Sequence, residues 1–375
     1  MAKIVRAPVL FGAAFAAFGS LSGCVFAPPA SEAPATEVVP ALPTAPDPDA
    51  PRLPPLETRF VSLDATDDVI GETQVLFTRY ENTFTAIAQV YKLGYEEMRR
   101  ANPGVDHWLP GEGTPVYLPT QKIAPDAPRE GIVVNVASMR LMYFAPEAGE
   151  EGTPARLAVA SHPIGIGREG WSTPLGAATV TGKVENPAWY PPASIRAEHA
   201  AAGDPLPSVV PAGPDNPLGP LAMTLSLPSY LIHGTNKPAG VGMRSSHGCI
   251  RMYNEDIEEL FKRAQRGTAV HIVNQPVLAG WRDGVLYLEV NSPLEEDDLD
   301  LAAEAQRVLE NALDKPGAPV VTLDRAAIAK IVEEQRGIAL PVSEPGLEPA
   351  HYLARARVIE NTVPVAEREQ TADAD

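Results

Sequence analysis

Leu231-Ile232-His233-Gly234-Thr235, then ten residues, then Ser246-His247-Gly248-Cys249-Ile250-Arg251-Met252, then Asn254 and Asp256: this stretch governs the reading of the chain. Leu231 to His233 is an apolar, strand-type run that ends on a histidine. From Asn254 to Arg266 the apolar residues Ile257, Leu260 and Phe261 recur at helical spacing, with Asn254 as the expected N-cap. A single thiol thus stands near two histidines, beside glycine, just before a helix. A cysteine needs a base or positive surroundings to become a thiolate near neutral pH, and His233 can supply the base. Gly248 lets the backbone approach a substrate and present N–H groups to a developing oxyanion. Arg251 is a fixed positive charge able to grip a carboxylate through two bonds. Acyl transfer through a thioester uses all of these parts. Two other readings compete. A zinc site would need both histidines and the one cysteine at once, and no Cys-x-x-Cys or His-Glu-x-x-His is present. A buried structural cysteine with satisfied histidines is the other.

Outward from this segment, residues 130–274 read as mostly strands. Ile132–Val136 and Leu141–Phe144 form a hairpin pattern around Ala137-Ser138-Met139-Arg140, and further strands are expected at Leu157–Ala160 and Ala178–Thr181. Gly165-x-Gly167 is not followed by a clean helix, which argues against a dinucleotide loop. Residues 72–120 read as a small α/β unit. Gln74–Thr78 is a strand, and Thr83 caps a helix carrying Phe84, Ile87, Ala88 and Tyr91. A second helix runs from Tyr95 to Ala101, and a closing strand lies at Val116–Pro119. Residues 275–340 read as a C-terminal extension with a strand pair near Val277–Leu278 and Val285–Val290 and helices over 298–313 and 324–336. Residues 341–375 read as a disordered tail.

The N-terminus carries Lys3 and Arg6, a short apolar run over 8–21, and then Leu21-Ser22-Gly23-Cys24. The run is too short and glycine-broken for a good membrane span, so residues 1–23 read as a signal peptide. Residues 24–71 read as a Pro-rich tether, because residues 25–57 are Pro, Ala and acidic residues that cannot bury a core. Composition excludes one class of partner. The net charge of −18 opposes nucleic-acid binding, which needs a basic footprint. Cysteine usage adds a flag. Of the two cysteines, a lipidated Cys24 leaves Cys249 as a lone thiol in an oxidising compartment.

His-Gly-Thr followed by Ser-His-Gly-Cys-Ile-Arg-Met resembles the signature of the YkuD-type L,D-transpeptidases. The similarity extends over about residues 130–275 and includes Pro163–Gly167, Thr173-Pro174-x-Gly176 and Val210–Gly219. The resemblance implies a β-sandwich-like catalytic domain that needs no metal or cofactor. It also implies roles: Cys249 as nucleophile, His233 as general base, the Gly234 carbonyl orienting the imidazole, Ser246, His247 and Gly248 around the oxyanion and substrate, and Arg251 holding the donor. The donor is the tetrapeptide stem of peptidoglycan, attacked at its third residue. Three acceptors stay open, in this order: the amine of an envelope lipoprotein, a second diaminopimelate, and water. A non-catalytic peptidoglycan-binding lipoprotein is the alternative from another class. Residues 72–120 resemble a LysM module, a binder of glycans containing N-acetylglucosamine, with an insert at His107–Gly113. Leu-Ser-Gly-Cys24 resembles a lipobox, which implies acylation of Cys24. Val25 behind it favours the outer membrane of a Gram-negative envelope, facing the periplasm. The expected architecture is therefore multidomain: a mostly-β catalytic domain, a small α/β module and a partly helical extension.

Overall fold

The computed structural model describes residues 46–56, 60–64, 66–147, 156–344 and 347–364, all within the compact unit Leu42–Asp375. Cys24 and the signal segment lie outside the described residues. Among the described residues no helix is long and apolar enough to cross a membrane.

The part of the chain that carries His233 and Arg251 is a nine-stranded sheet. Its strands run, in spatial order, Phe60–Asp64, Arg156–Pro163, Arg140–Pro146, Gly131–Asn135, Ala269–Val273, Gly176–Glu185, Leu221–Leu225, Leu231–His233 and Ile250–Arg251. Apolar side chains from both arms meet in one core. Ile132, Val134 and Leu141 come from one arm, and Met223, Ile232 and Ile250 from the other. Ile257 and Leu260 of helix Asn254–Arg263 close that core. Two arms curled onto a shared interior give the mostly-β domain the pattern predicts, in the sandwich-like form the resemblance implies.

The small unit has the expected order. Strand Gln74–Phe77 precedes helices Phe84–Tyr91 and Tyr95–Ala101, and strand Pro115–Leu118 follows. Thr83 caps the first helix by accepting from the Ala86 amide at 3.1 Å. Glu97 reaches back to the Gly94 amide at 2.9 Å, which caps the second. The extension builds a third core under strands Val277–Arg282 and Val285–Val290. Helices Leu301–Leu313 and Arg325–Glu334, capped by Asp300 and Asp324, pack against it.

Three expectations are corrected. The tether read as ending at residue 71 stops earlier. Phe60–Asp64 pairs antiparallel with Arg156–Ala160 at the sheet edge, and Val69–Ile70 pairs with Lys122–Ile123. Leu63, Val69 and Ile70 are apolar residues that the Pro-rich average conceals. The tail read as disordered from residue 341 is folded over residues 341–344 and 347–364. Arg357–Val358 pairs parallel with Gln74–Val75, and Ile359 and Val363 enter the core of the small unit. Finally, Asn254 is the first residue of its helix and not its cap. Its side chain accepts from the Thr235 amide at 2.8 Å.

The three parts meet around one buried carboxylate. Glu97 of the small unit pairs with Lys122 at 2.7 Å and with Arg140 of the large sheet at 2.7 Å. Lys122 also lies 3.8 Å from Glu289 of the extension and donates to the Gly337 carbonyl at 2.8 Å. Burial opposes the Glu97 charge, but the two cations and the Gly94 amide outweigh it and hold the carboxyl at about 2.

Candidate active site

Strand Leu231–His233 lies parallel to Ile250–Arg251, with Ile232 opposite Ile250 and His233 opposite Arg251. Both isoleucines are buried in the core. Side chains alternate along a strand, so His233 and Arg251 share the other face. Cys249 lies just before this strand, where the Leu231 amide and the Arg251 charge act on its sulfur. The apolar half of the pattern thereby aims the reactive half.

His233 is itself buried. Its Nδ1 stands 2.6 Å from the Gly234 carbonyl. A carbonyl only accepts, so Nδ1 carries the proton and Nε2 is left with a lone pair. Burial first, and the Arg251 charge second, push the imidazole down to about 4. The Cys249 thiol is pushed up by burial, against the Leu231 amide and the Arg251 charge, which favour the thiolate. At rest both groups are therefore neutral, with the thiol donating to the Ser229 carbonyl at 3.7 Å.

The turn that presents the thiol is braced from within. Ser246 Oγ accepts from the Gly248 amide at 3.1 Å and donates to the Cys249 carbonyl at 2.6 Å. Thr173 Oγ1 donates to the Gly248 carbonyl at 3.0 Å and accepts from the Gly167 amide at 3.1 Å. Gly248 has φ of +102°, and a Cβ there would meet the Tyr230 ring at 2.7 Å, so only glycine fits. The Gly248 amide, expected to face an oxyanion, is thus engaged by Ser246. Among the described residues, the Cys249 amide finds no acceptor.

His247 is turned towards helix Ala193–Ala201. Its Nε2 lies 3.3 Å from Glu198 and 3.2 Å from Arg168, and Trp171 packs edge-on against its ring at 4.9 Å. Glu198 sits on helix Ala193–Ala201, whose formation the sequence reading missed because Pro191-Pro192 precedes it and a Pro-rich loop follows. Arg251 Nη1 donates to Ser245 Oγ at 3.1 Å, while its Nε is buried without a partner. No ion pair to Arg251 occurs among the described residues, although burial pushes the guanidinium down. Such a cation is available to a carboxylate arriving from outside.

A family model for the L,D-transpeptidase catalytic domain (YkuD) matches residues 129–272. The probable L,D-transpeptidase YbiS of Escherichia coli K12 is 42% identical over 270 residues, covering 69% of this chain and 85% of that protein. This chain belongs to the L,D-transpeptidase family. Two further relatives agree. The probable L,D-transpeptidase YcfS of the same organism is 43% identical over 236 residues, covering 61% and 71% of the two chains. The probable L,D-transpeptidase ErfK/SrfK of Salmonella typhimurium is 38% identical over 292 residues, covering 74% and 90%. The match to YbiS is longer than the catalytic domain, so the likeness reaches into its flanks.

In this L,D-transpeptidase the sequence reading missed several supports. Thr173 was visible only as part of a Thr-Pro-x-Gly turn. The bidentate Arg244–Glu296 pair, at 2.8 and 2.9 Å, ties the strand entering the catalytic turn to the extension. Ser172 Oγ donates to the same carboxylate at 3.2 Å. No sequence pattern joins residues so far apart along the chain.

Proposed function

We propose that this enzyme transfers the acyl group of a peptidoglycan tetrapeptide stem through a thioester on Cys249. The carboxylate of the donor rests on Arg251. His233 Nε2 takes the thiol proton as sulfur attacks the carbonyl of the third residue. The Cys249 amide supports the oxyanion, and the imidazolium returns the proton to the departing D-alanine. An acceptor amine then attacks the thioester, gives its proton to His233 and regenerates the thiol. With the thiol raised and the imidazole low, transfer is concerted with attack and no standing ion pair precedes it. The observation that carries the proposal is the His233 Nδ1–Gly234 contact of 2.6 Å, because it fixes the tautomer that makes Nε2 a base.

The preferred acceptor is the amine of an envelope lipoprotein, ahead of a second diaminopimelate and ahead of water. The small unit, with its LysM-like order, is assigned to glycan binding. Acylated Cys24 and the Pro-rich segment behind it are assigned to tethering at the periplasmic face of the outer membrane. A module on the glycan would raise the local donor concentration. Mass spectrometry of sacculus digests from cells with and without the protein decides among acceptors. Loss of wall-bound protein supports the first choice. Loss of direct diaminopimelate cross-links with wall-bound protein unchanged replaces it with the second.

A further inference from the structure

The small unit touches the catalytic domain where the loop between His233 and Cys249 turns. Gly94 and Gly242 meet backbone to backbone. A Cβ on Gly94 would lie 2.9 Å from the Gly242 Cα, and a Cβ on Gly242 would overlap the Gly94 Cα and the Tyr95 nitrogen. The Glu96 amide donates to the Gly242 carbonyl at 3.1 Å and the Tyr95 amide to the Val241 carbonyl at 3.4 Å. Val241 is buried, and Met243 packs on the core of the small unit. The other side of the same loop is the wall of the Arg251 site. A Cβ on Gly240 would overlap Arg251 Nη1, and one on Gly165 would lie 2.6 Å from the Gly240 carbonyl. Ser245, which accepts from Arg251, also donates to the Gly240 carbonyl at 3.4 Å. Three residues of loop thus separate the Gly94 contact from the guanidinium.

We propose that Gly94 and Gly242 are positioning residues for donor binding: the small unit presses the 238–242 loop against Arg251 and so sets where the donor carboxylate is held. The small unit then serves the reaction even on a substrate that contains no glycan. This rests on the assignment of Arg251 to the donor carboxylate. Gly94 has φ of −88°, so alanine adds a methyl group there without backbone strain, and its only hard contact is the loop.

The test compares full-length Gly94→Ala with wild type on a soluble tetrapeptide lacking sugar. The expected result is a KM raised roughly fivefold or more with kcat within about twofold, the split that ground-state binding loss produces. A second readout needs no turnover. Iodoacetate carries a carboxylate and iodoacetamide does not, so the ratio of their rates at Cys249 reports the Arg251 field. Gly94→Ala lowers that ratio. Glu333→Ala, exposed on helix Arg325–Glu334 and outside both sites, is the control; it leaves both readouts unchanged. If Gly94→Ala does not fold, Tyr253→Phe removes the neighbouring bond to the Leu93 carbonyl, 3.1 Å long, and moves both readouts the same way by less. A folded variant with wild-type KM and wild-type ratio overturns the proposal. A wild-type enzyme that releases no D-alanine contradicts the transpeptidase assignment instead, and the two failures are distinguishable.

Discussion

Apart from the edge strand Phe60–Asp64, the catalytic domain closes its sheet with its own residues, whereas the small unit borrows a strand from near the far end of the chain. The segment from Leu231 to Met252 sits within one stretch of sequence, and alternation along its paired strands turns His233 and Arg251 to one side. The small unit is finished by Arg357–Val358, with Ile359 and Val363 filling its core. Polar ties reinforce this. Asn361 donates to the Phe77 carbonyl at 2.9 Å, and the Tyr91 hydroxyl donates to the Glu360 carbonyl at 2.9 Å. The difference teaches that chemistry here is local in sequence while the support of that chemistry is not.

The comparison makes its largest claim about rate. His233→Ala changes only the local site, and kcat should fall by about 10²–10⁴-fold, the usual contribution of a general base. The thermal midpoint should move little. A large loss of stability with modest loss of rate would show that the site is not separable from its support.

The reverse is expected for the borrowed strand. Ile359→Ala should cost about 2–5 kcal/mol of stability, as for other buried aliphatic deletions. Hydrogen exchange should then rise first in Gln74–Phe77 and Pro115–Leu118, while the protection of Ala269–Val273 persists. Equal loss of protection in both sheets would mean that the units unfold as one.

Glu97 tests the junction. Glu97→Gln leaves Arg140 buried without its counter-charge and Lys122 with only Glu289 at 3.8 Å, which costs about 3–5 kcal/mol for a broken buried pair. The pH dependence carries a sign. The folded carboxyl is held at about 2, below its ordinary value of 4.5, so its stabilisation is full above the unfolded value. It is lost as pH falls from the ordinary value towards the folded one. Thermal midpoints measured from pH 6 to pH 2 should fall more steeply in wild type than in Glu97→Gln. Parallel slopes would remove Glu97 from the account.

The same contrast explains what could be read from the sequence. The hairpin around Met139, the helices carrying Phe84 and Tyr95, and the strand ending on His233 all repeat at a short period, and each was legible. Helix Ala193–Ala201 was not, since prolines on either side hid it. Nor was the fold of residues 341–344 and 347–364, where a few apolar residues lie in a charged, Pro-containing stretch and find their partners only across the whole chain. At the candidate site, Cys249, His233 and Arg251 were singled out by type and spacing. The inward roles of Ser246 and Thr173, and the turning of His247 towards Glu198, depend on which way a side chain points, and a residue string carries no such direction.

The smallest effect concerns pH and rate. With His233 pushed down to about 4, the imidazole stays neutral through the mildly acidic range. The acid limb of kcat/KM should therefore lie near pH 4, well below the ordinary histidine value. An acid limb near 6.5 would mean that burial does not set this group.

The most direct test of the central claim, that Cys249 carries the acyl group, is the intact mass of the enzyme mixed with a tetrapeptide donor and quenched in acid before turnover completes. The account predicts an adduct equal to the donor less D-alanine, mapped to the peptide containing Cys249 and absent from Cys249→Ala, which also releases no D-alanine. An adduct on another residue, or D-alanine released by Cys249→Ala at the wild-type rate, would contradict it.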